Sequence, residues 1–181
     1  MNLQDELLRE HSRQQYQLLT AYIGADETRF AELMRLLFAG PRRLTQMAAG
    51  LLGHCAEAEA ALLMPHLGAL LQFCQQPNLP DAVLRNTMRA LQFAPVPPGL
   101  QAQAFDVCLR ALSHQATPVA TQTFALTAAT RLCEQHPALA QELLHALEPL
   151  LPQARAALRS RAQKELPKLR RLRLATAPYE V

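Results

Sequence analysis

Prolines break this chain at short intervals, and between the breaks apolar residues recur every three or four positions. A repeat of three to four residues puts those side chains on one face of an α-helix. Proline has no N–H to give to a helix, so it belongs at a first turn or just past an end. Phe30, Leu33, Met34 and Leu37 mark one such face, followed by the stop at Gly40-Pro41. Leu44, Met47, Ala48, Leu51, Leu52 and Cys55 mark the next, with Pro41 expected at its first position. Leu62, Leu63, Leu67, Leu70, Leu71 and Cys74 form a third, and Pro65 within it predicts a start or a kink there.

Pro77-Asn78-Leu79-Pro80-Asp81 separates these from a helix carrying Leu84, Met88 and Leu91. Pro95-Val96-Pro97-Pro98-Gly99 is the strongest breaker in the chain. Beyond it come Phe105, Cys108, Leu109 and Leu112. Thr117-Pro118 then opens a helix with Val119, Leu126, Ala129, Leu132 and Cys133 that stops at His136-Pro137. Leu139, Leu143, Leu144, Leu147, Leu150 and Leu151 follow, bent or ended by Pro149 and Pro152. A last helix is expected from about Gln153, with Leu158, Leu166 and Leu169 apolar and Pro167 interrupting it. At the other end a single helix is expected over 3–23, ended by Gly24. Its middle is polar on every side, as suits the cap of a stack, and Asp26 is the expected N-cap of the helix after it.

Composition points the same way. Ile23 is the only isoleucine, and the apolar half of the chain is mostly Leu and Ala, the best helix formers. Helices of some fourteen to eighteen residues with very short links must lie antiparallel to their neighbours. A shift of 77 residues places Pro41 on Pro118, Ala48 on Ala125, Ala61 on Ala138, Leu62 on Leu139, Leu67 on Leu144 and Leu70 on Leu147. That is about twice a helical-repeat unit of about 40 residues, with 80–114 as the intervening pair.

The segments Thr117-Pro-Val-Ala-Thr-Gln-Thr-Phe-Ala, Leu132-Cys-Glu-Gln-His-Pro, Glu142-Leu-Leu, Leu150-Leu-Pro and Leu158-Arg-Ser-Arg-Ala-Gln-Lys resemble small bacterial HEAT-like proteins. The specific resemblance covers about the last 65 residues, and the general pattern covers most of the chain. It implies an all-α fold, an αα-superhelix of stacked antiparallel helix pairs (HEAT/armadillo-like). It carries over no activity and no catalytic residue. One helical-repeat domain is expected over 1–181: a capping helix pair at 1–40, repeats at 41–152, and a basic helix and tail at 153–181.

Charge is unevenly spread. Residues 1–152 hold 10 Lys and Arg against 13 Asp and Glu, net −3, whereas 153–181 hold 8 against 2, net +6. Arg155, Arg159, Arg161, Lys164, Lys168, Arg170, Arg171 and Arg173 are therefore the candidate partner-binding residues, for nucleic acid, an anionic membrane or an acidic protein. The same residues also suit a solvated outer face on a terminal helix, with cations near its C-terminus. Arg42-Arg43, Arg85, Arg89, Arg110 and Arg131 read either as a mildly basic ladder along one face or as solubilising surface.

Chemistry-bearing patterns are scarce. The sequence has no Gly-rich phosphate loop, no GxSxG and no HExxH. None of the six histidines has metal-pair spacing with another, so no metal or other cofactor is expected. Cys55, Cys74, Cys108 and Cys133 form no CxxC and read as reduced, buried thiols of a cytoplasmic protein. Helical-repeat proteins that excise damaged DNA bases exist. That activity wants a basic concave surface with aromatics, whereas here Trp is absent and the basic residues cluster at one end. Met1–Glu6 lacks a basic region followed by an apolar run, so no signal peptide is expected, and no apolar stretch is long enough to span a bilayer. The expected function is a non-enzymatic protein- or peptide-binding module. The alternative is nucleic-acid binding through the basic C-terminal helix.

Overall fold

A computed structural model describes residues 1–176. Those residues form ten α-helices and two 3-10 segments and contain no strand. The expected all-α class is what the chain adopts. The helices run from 7 to 21 residues, a wider spread than the sequence spacing predicts.

The contacts divide into two compact units, residues 1–100 and Gln101 onward. In the first unit, α1 (Leu3–Arg9) and α2 (Arg13–Ile23) replace the single helix expected over 3–23. Glu10 is extended, and Ser12 caps α2 by accepting from the Gln15 amide at 3.1 Å. The Gln15 side chain reaches back to both the backbone and carboxylate oxygens of Glu6 at 2.9 Å, fastening the break. The Ser12 N-cap is a local signal stronger than the weak periodicity that bridges it, and the Gln15 side chain is used on Glu6 instead of on the Ser12 amide. Gly24 ends α2 with φ +50°, a left-handed position where a side chain is costly, and Asp26 caps α3 (Glu27–Ala39) as expected.

Pro41 is the N-cap of α4 (Arg42–Ala58), one residue before the expected place. Leu44, Ala48, Leu51, Leu52 and Cys55 are buried on it. The segment around Pro65 winds as a 3-10 turn, Ala60–His66, before α5 (Leu67–Phe73). Proline there removes a donor that an α-helix would need. On α6 (Asp81–Ala90) the buried residues are Val83, Asn86, Thr87, Met88 and Ala90, and Leu84 is half-exposed. Met88 and Leu91 of the expected stripe are buried, and only Leu84 gives way, to Val83. Helix α4 is the centre of this unit, packed by α1, α2, α3, α6 and the 3-10 turn.

In the second unit α7 (Pro98–Ser113) begins inside the proline-rich break and leads to α8 (Val119–Gln135). Helix α9 (Leu139–Leu147) and α10 (Ala156–Thr176) pack on α8 and on each other. Pro167 does not interrupt α10 as expected. It sits on the exposed side, and the carbonyl it leaves without its helical donor belongs to exposed Gln163, within reach of solvent.

The 77-residue repeat is visible in the helix limits. Arg42–Ala58 and Val119–Gln135 begin and end 77 residues apart, each after a proline N-cap. In each case the repeated helix packs most extensively on the helix two further along, α4 on α6 and α8 on α10.

Candidate binding surfaces

Helix α10 buries Leu158, Ala162, Glu165 and Leu169, spaced by four, three and four residues, so its seam toward α8 and α9 runs along one line. That line divides the basic residues. Arg161, Lys164, Lys168 and Arg171, again spaced by three, four and three, fall on one side of it. Arg159, Arg170 and Arg173 fall on the other, and Arg155 precedes the helix. The candidate residues therefore form two basic edges and not one face.

Part of that charge is engaged within the unit. Arg161 donates to the Thr127 hydroxyl of α8 at 2.7 Å. Lys168 pairs at 2.9 Å with Glu165, whose side chain is only 5% exposed, so the ammonium compensates a buried carboxylate. Arg159 donates to the Ala154 carbonyl at 3.0 Å. Arg155, Lys164, Arg170 and Arg171 are exposed, and their side chains make no hydrogen bond or ion pair among the described residues.

The six further arginines are divided between the units, Arg42, Arg43, Arg85 and Arg89 in the first and Arg110 and Arg131 in the second. Arg42 turns back to donate to the Asn78 carbonyl at 2.6 Å. Arg110 is exposed on α7 and Arg131 half-buried on α8. Arg85 and Arg89, on α6, belong to a cluster that sequence reading did not assemble.

That cluster is built on two glycines of α4. Arg43, Gln46, Gly50, His54 and Glu57 follow one another along its outer side at spacings of three and four. At Gly50 the Tyr16 phenol of α2 lies on the helix, so close that a Cβ there would stand 2.8 Å from Tyr16 Cζ. Its hydroxyl donates to the Met47 carbonyl at 3.3 Å. At Gly53 the Asn86 amide and the Arg89 stem of α6 approach in the same way, with a Cβ 2.7 Å from Asn86 Oδ1 and 3.3 Å from Arg89 Cδ. Arg89 is also ion-paired with Glu57.

The Tyr16 ring contacts His54 at 5.4 Å and His11 at 5.5 Å between centroids. Burial raises the Tyr16 pKa, with nearby Arg85 acting the other way. Burial lowers that of His54, with Arg89 and Arg13 adding to the effect and Glu57 opposing it. Arginines from α2 and α6 thus act on groups of the same small area. The pair Gly50 and Gly53 within a helix, with Tyr16 directly after the polar stretch of the first segment, was the signal for it.

Two open clefts also lie in the first unit. One of about 630 Å³ is lined by Phe38, Gln72, Phe73, Gln76 and Pro77. Another, of about 400 Å³, is lined by Glu27, Glu59, Leu62, Pro65 and His66. Among the described residues no three His, Cys, Asp or Glu side chains group as a metal ion requires. No described helix is long and apolar enough to cross a membrane. Burial pushes the Cys55 and Cys133 thiols up to about 12, far from the range of a reactive nucleophile.

Hairpins of short helices, a core between them, and polar residues set out along the outer side define the class of helical-repeat proteins. Within it, the chain belongs to the HEAT repeat domain family, whose model matches residues 3–168. No curated protein and no solved structure matches the chain. HEAT repeat domains generally mediate protein interactions, and the family is typically a non-enzymatic scaffold.

Proposed function

We propose that this chain is a non-enzymatic HEAT-repeat module that binds a protein or peptide on the exposed side of its helices. The observation that carries the reading is the outer row of α4. A helix packed on by five other segments keeps Arg43, Gln46 and Glu57 exposed and His54 half-exposed along its outer side, with charged residues from α2 and α6 beside them. Such a row suits recognition by an extended surface and offers no nucleophile paired with a base. The candidate residues of 153–181 are a second contact in this proposal: Arg155, Arg159, Arg161, Lys164, Lys168, Arg170, Arg171 and Arg173. Of these, Arg155, Lys164, Arg170 and Arg171 hold the charge not engaged within the unit. The reading includes one repeat domain with a cap at 1–40, repeats at 41–152 and a basic end at 153–181. It also includes residence in the cytoplasm, which four free thiols favour.

The test is affinity capture from lysate of the native host, with and without nuclease, using the full chain. A variant carrying Lys164→Glu, Arg170→Glu and Arg171→Glu is run beside it. Discrete proteins that survive nuclease are expected. A catch made of nucleic acid, lost in the charge-reversed variant, would refute the protein-binding reading in favour of nucleic-acid binding through the basic C-terminal helix.

A further inference from the structure

Helix α4 has no side chain at Gly50 or Gly53, so α2 and α6 are drawn in until Tyr16 and Asn86 lie on its backbone. Each neighbour brings arginine to the exposed side. Arg13 stands one turn before Tyr16 on α2, and Arg85 and Arg89 one turn apart on α6. The reach of these charges is felt inside the cluster, Arg13 and Arg89 at His54 and Arg85 at Tyr16. Glu57 is paired with Arg89, and Asp81 stands one turn before Arg85 on α6 without an ion pair to it. Arg13 and Arg85 are exposed and have no hydrogen bond or ion pair among the described residues. The face is left with an excess of positive charge in the half of the chain whose overall balance is negative.

We propose that the exposed face shared by α2, α4 and α6 docks an acidic peptide segment of a partner protein, whose carboxylates are received by Arg13, Arg85 and Arg89. The proposal rests on the reading of the chain as a protein-binding module and names the chemistry of its partner. Guanidinium is the group for it, since its planar fork matches a carboxylate with two parallel hydrogen bonds. The site is an open surface spread over three helices, so it fits an extended chain bearing several carboxylates better than a small anion.

Nucleic acid fits less well. Single strands are held by basic grooves with aromatic faces open for stacking. Here the Tyr16 residue is 8% exposed and its ring is in contact with His54 and His11. Two unpaired guanidinium groups would also neutralise only about two phosphates, whereas tight binding draws on many.

The experiment is fluorescence anisotropy on the full chain with three labelled probes. They are a short peptide of glutamates interspersed with glycine and serine, the same peptide with glutamines, and an oligo-dT. The glutamate peptide is expected to bind, more weakly as salt rises, and the glutamine peptide not to bind. Arg13→Glu with Arg85→Glu is expected to weaken binding by about tenfold or more. Arg35→Glu, at an exposed position of α3 outside the proposed face, is expected to leave it unchanged. Arg13→Gln with Arg85→Gln, whose melting is checked by circular dichroism, keeps the result independent of any effect of charge reversal on folding.

Three results would overturn the proposal: no binding of the glutamate peptide, equal weakening by the α3 variant, or tighter binding of oligo-dT that is lost with Arg13 and Arg85. Capture from lysate separates the two levels. A discrete partner retained by Arg13→Glu with Arg85→Glu leaves the module reading standing and removes this face. No partner captured by the unaltered chain removes the module reading itself.

Discussion

Gly50→Ala and Gly68→Ala are the same substitution in two helices of the first unit, and the structure gives them opposite signs. Each replaces a helical glycine, which alone is worth about 1 kcal/mol of helix stability. At Gly68 the new methyl would meet Leu100 at 3.6 Å, an ordinary van der Waals contact. Gly68→Ala should therefore stabilise the unit by about 0.5–1 kcal/mol. At Gly50 the methyl would stand 2.8 Å from Cζ and 3.3 Å from Cε2 of Tyr16, inside the contact distance of both. A buried phenol is stiff and is held by its bond to the Met47 carbonyl. Moving it costs about 1–3 kcal/mol of overpacking strain and about 1 kcal/mol for the lost hydrogen bond. After the helix gain is subtracted, Gly50→Ala should destabilise by about 1–3 kcal/mol. Urea denaturation followed by far-UV circular dichroism reads both as shifts in midpoint at constant slope. Tyr16→Phe removes the outermost clashing atom, so Gly50→Ala should cost at least about 0.5 kcal/mol less in that background. A Gly50→Ala protein as stable as the unaltered one would show that Tyr16 does not lie on α4, and the docking face built on that approach would fall with it.

Acidification should destabilise the first unit. His54 and His66 both have pKa values lowered from 6.5 by burial, so below about that pH the unfolded chain takes up protons the folded chain refuses. The urea midpoint should drop between pH 7.5 and pH 5.5, by less when both histidines are replaced by Gln; an equal drop in that variant would count against it. Thiol labelling at pH 8 should leave Cys55, Cys108 and Cys133, all buried, unmodified in the native protein and reach half-buried Cys74 first, with all four reacting in urea. Ending the chain after Pro152 should unfold the second unit, because Leu158 and Leu169, 2% and 0% exposed, would be lost from the surfaces of α8 and α9. Two buried leucines are worth roughly 3–6 kcal/mol, against a typical total of about 5–15. Limited proteolysis that leaves 101–152 intact would contradict this.

Much of the fold was legible because burial in a helix leaves a period. Phe30, Leu33 and Leu37, or Leu44, Ala48, Leu51 and Cys55, are found where their spacing places them. Proline positions gave helix limits to within a residue, as at Pro41 and Pro118. The failures have local causes. Ser12-Arg13-Gln14-Gln15 is short and polar, and it was submerged in a pattern taken from Leu8 and Leu18, both of which are exposed. On α6 the buried set includes Asn86 and Thr87, which a hydrophobic count passes over. The basic C-terminal segment stood out because charge can be summed along a chain. Its division by the seam of Leu158, Ala162, Glu165 and Leu169 appears only when the residues are placed around the helix. The cluster on α4 was hidden for the opposite reason. Arg13, Gly50, His54 and Arg85 are far apart in sequence and ordinary one by one, and only packing brings them together.

The repeat explains how one scaffold carries two unlike surfaces. Leu44, Ala48, Ala49, Leu51, Leu52, Cys55 and Ala56 of α4 are buried, and so are Thr121, Ala125, Leu126, Ala128, Ala129, Leu132 and Cys133, each 77 residues on. Only Ala48 and Ala125 are the same residue, and bulk is redistributed: Leu51 and Leu52 face Ala128 and Ala129 in the comparison, while Ala49 faces Leu126. A core is satisfied by total volume and pattern, so identity drifts while burial persists. The outer row follows a different constraint, set by which neighbouring side chain lies on it. Gly50 becomes Thr127, whose hydroxyl accepts from Arg161, and His54 becomes Arg131. Where the first unit uses a glycine to draw in Tyr16 and leaves Arg13 and Arg85 unpaired, the second uses a threonine to engage an arginine. On the proposed reading, the charge open to an acidic partner depends on what position 50 and its repeat, position 127, engage: Tyr16 in the first unit and Arg161 in the second.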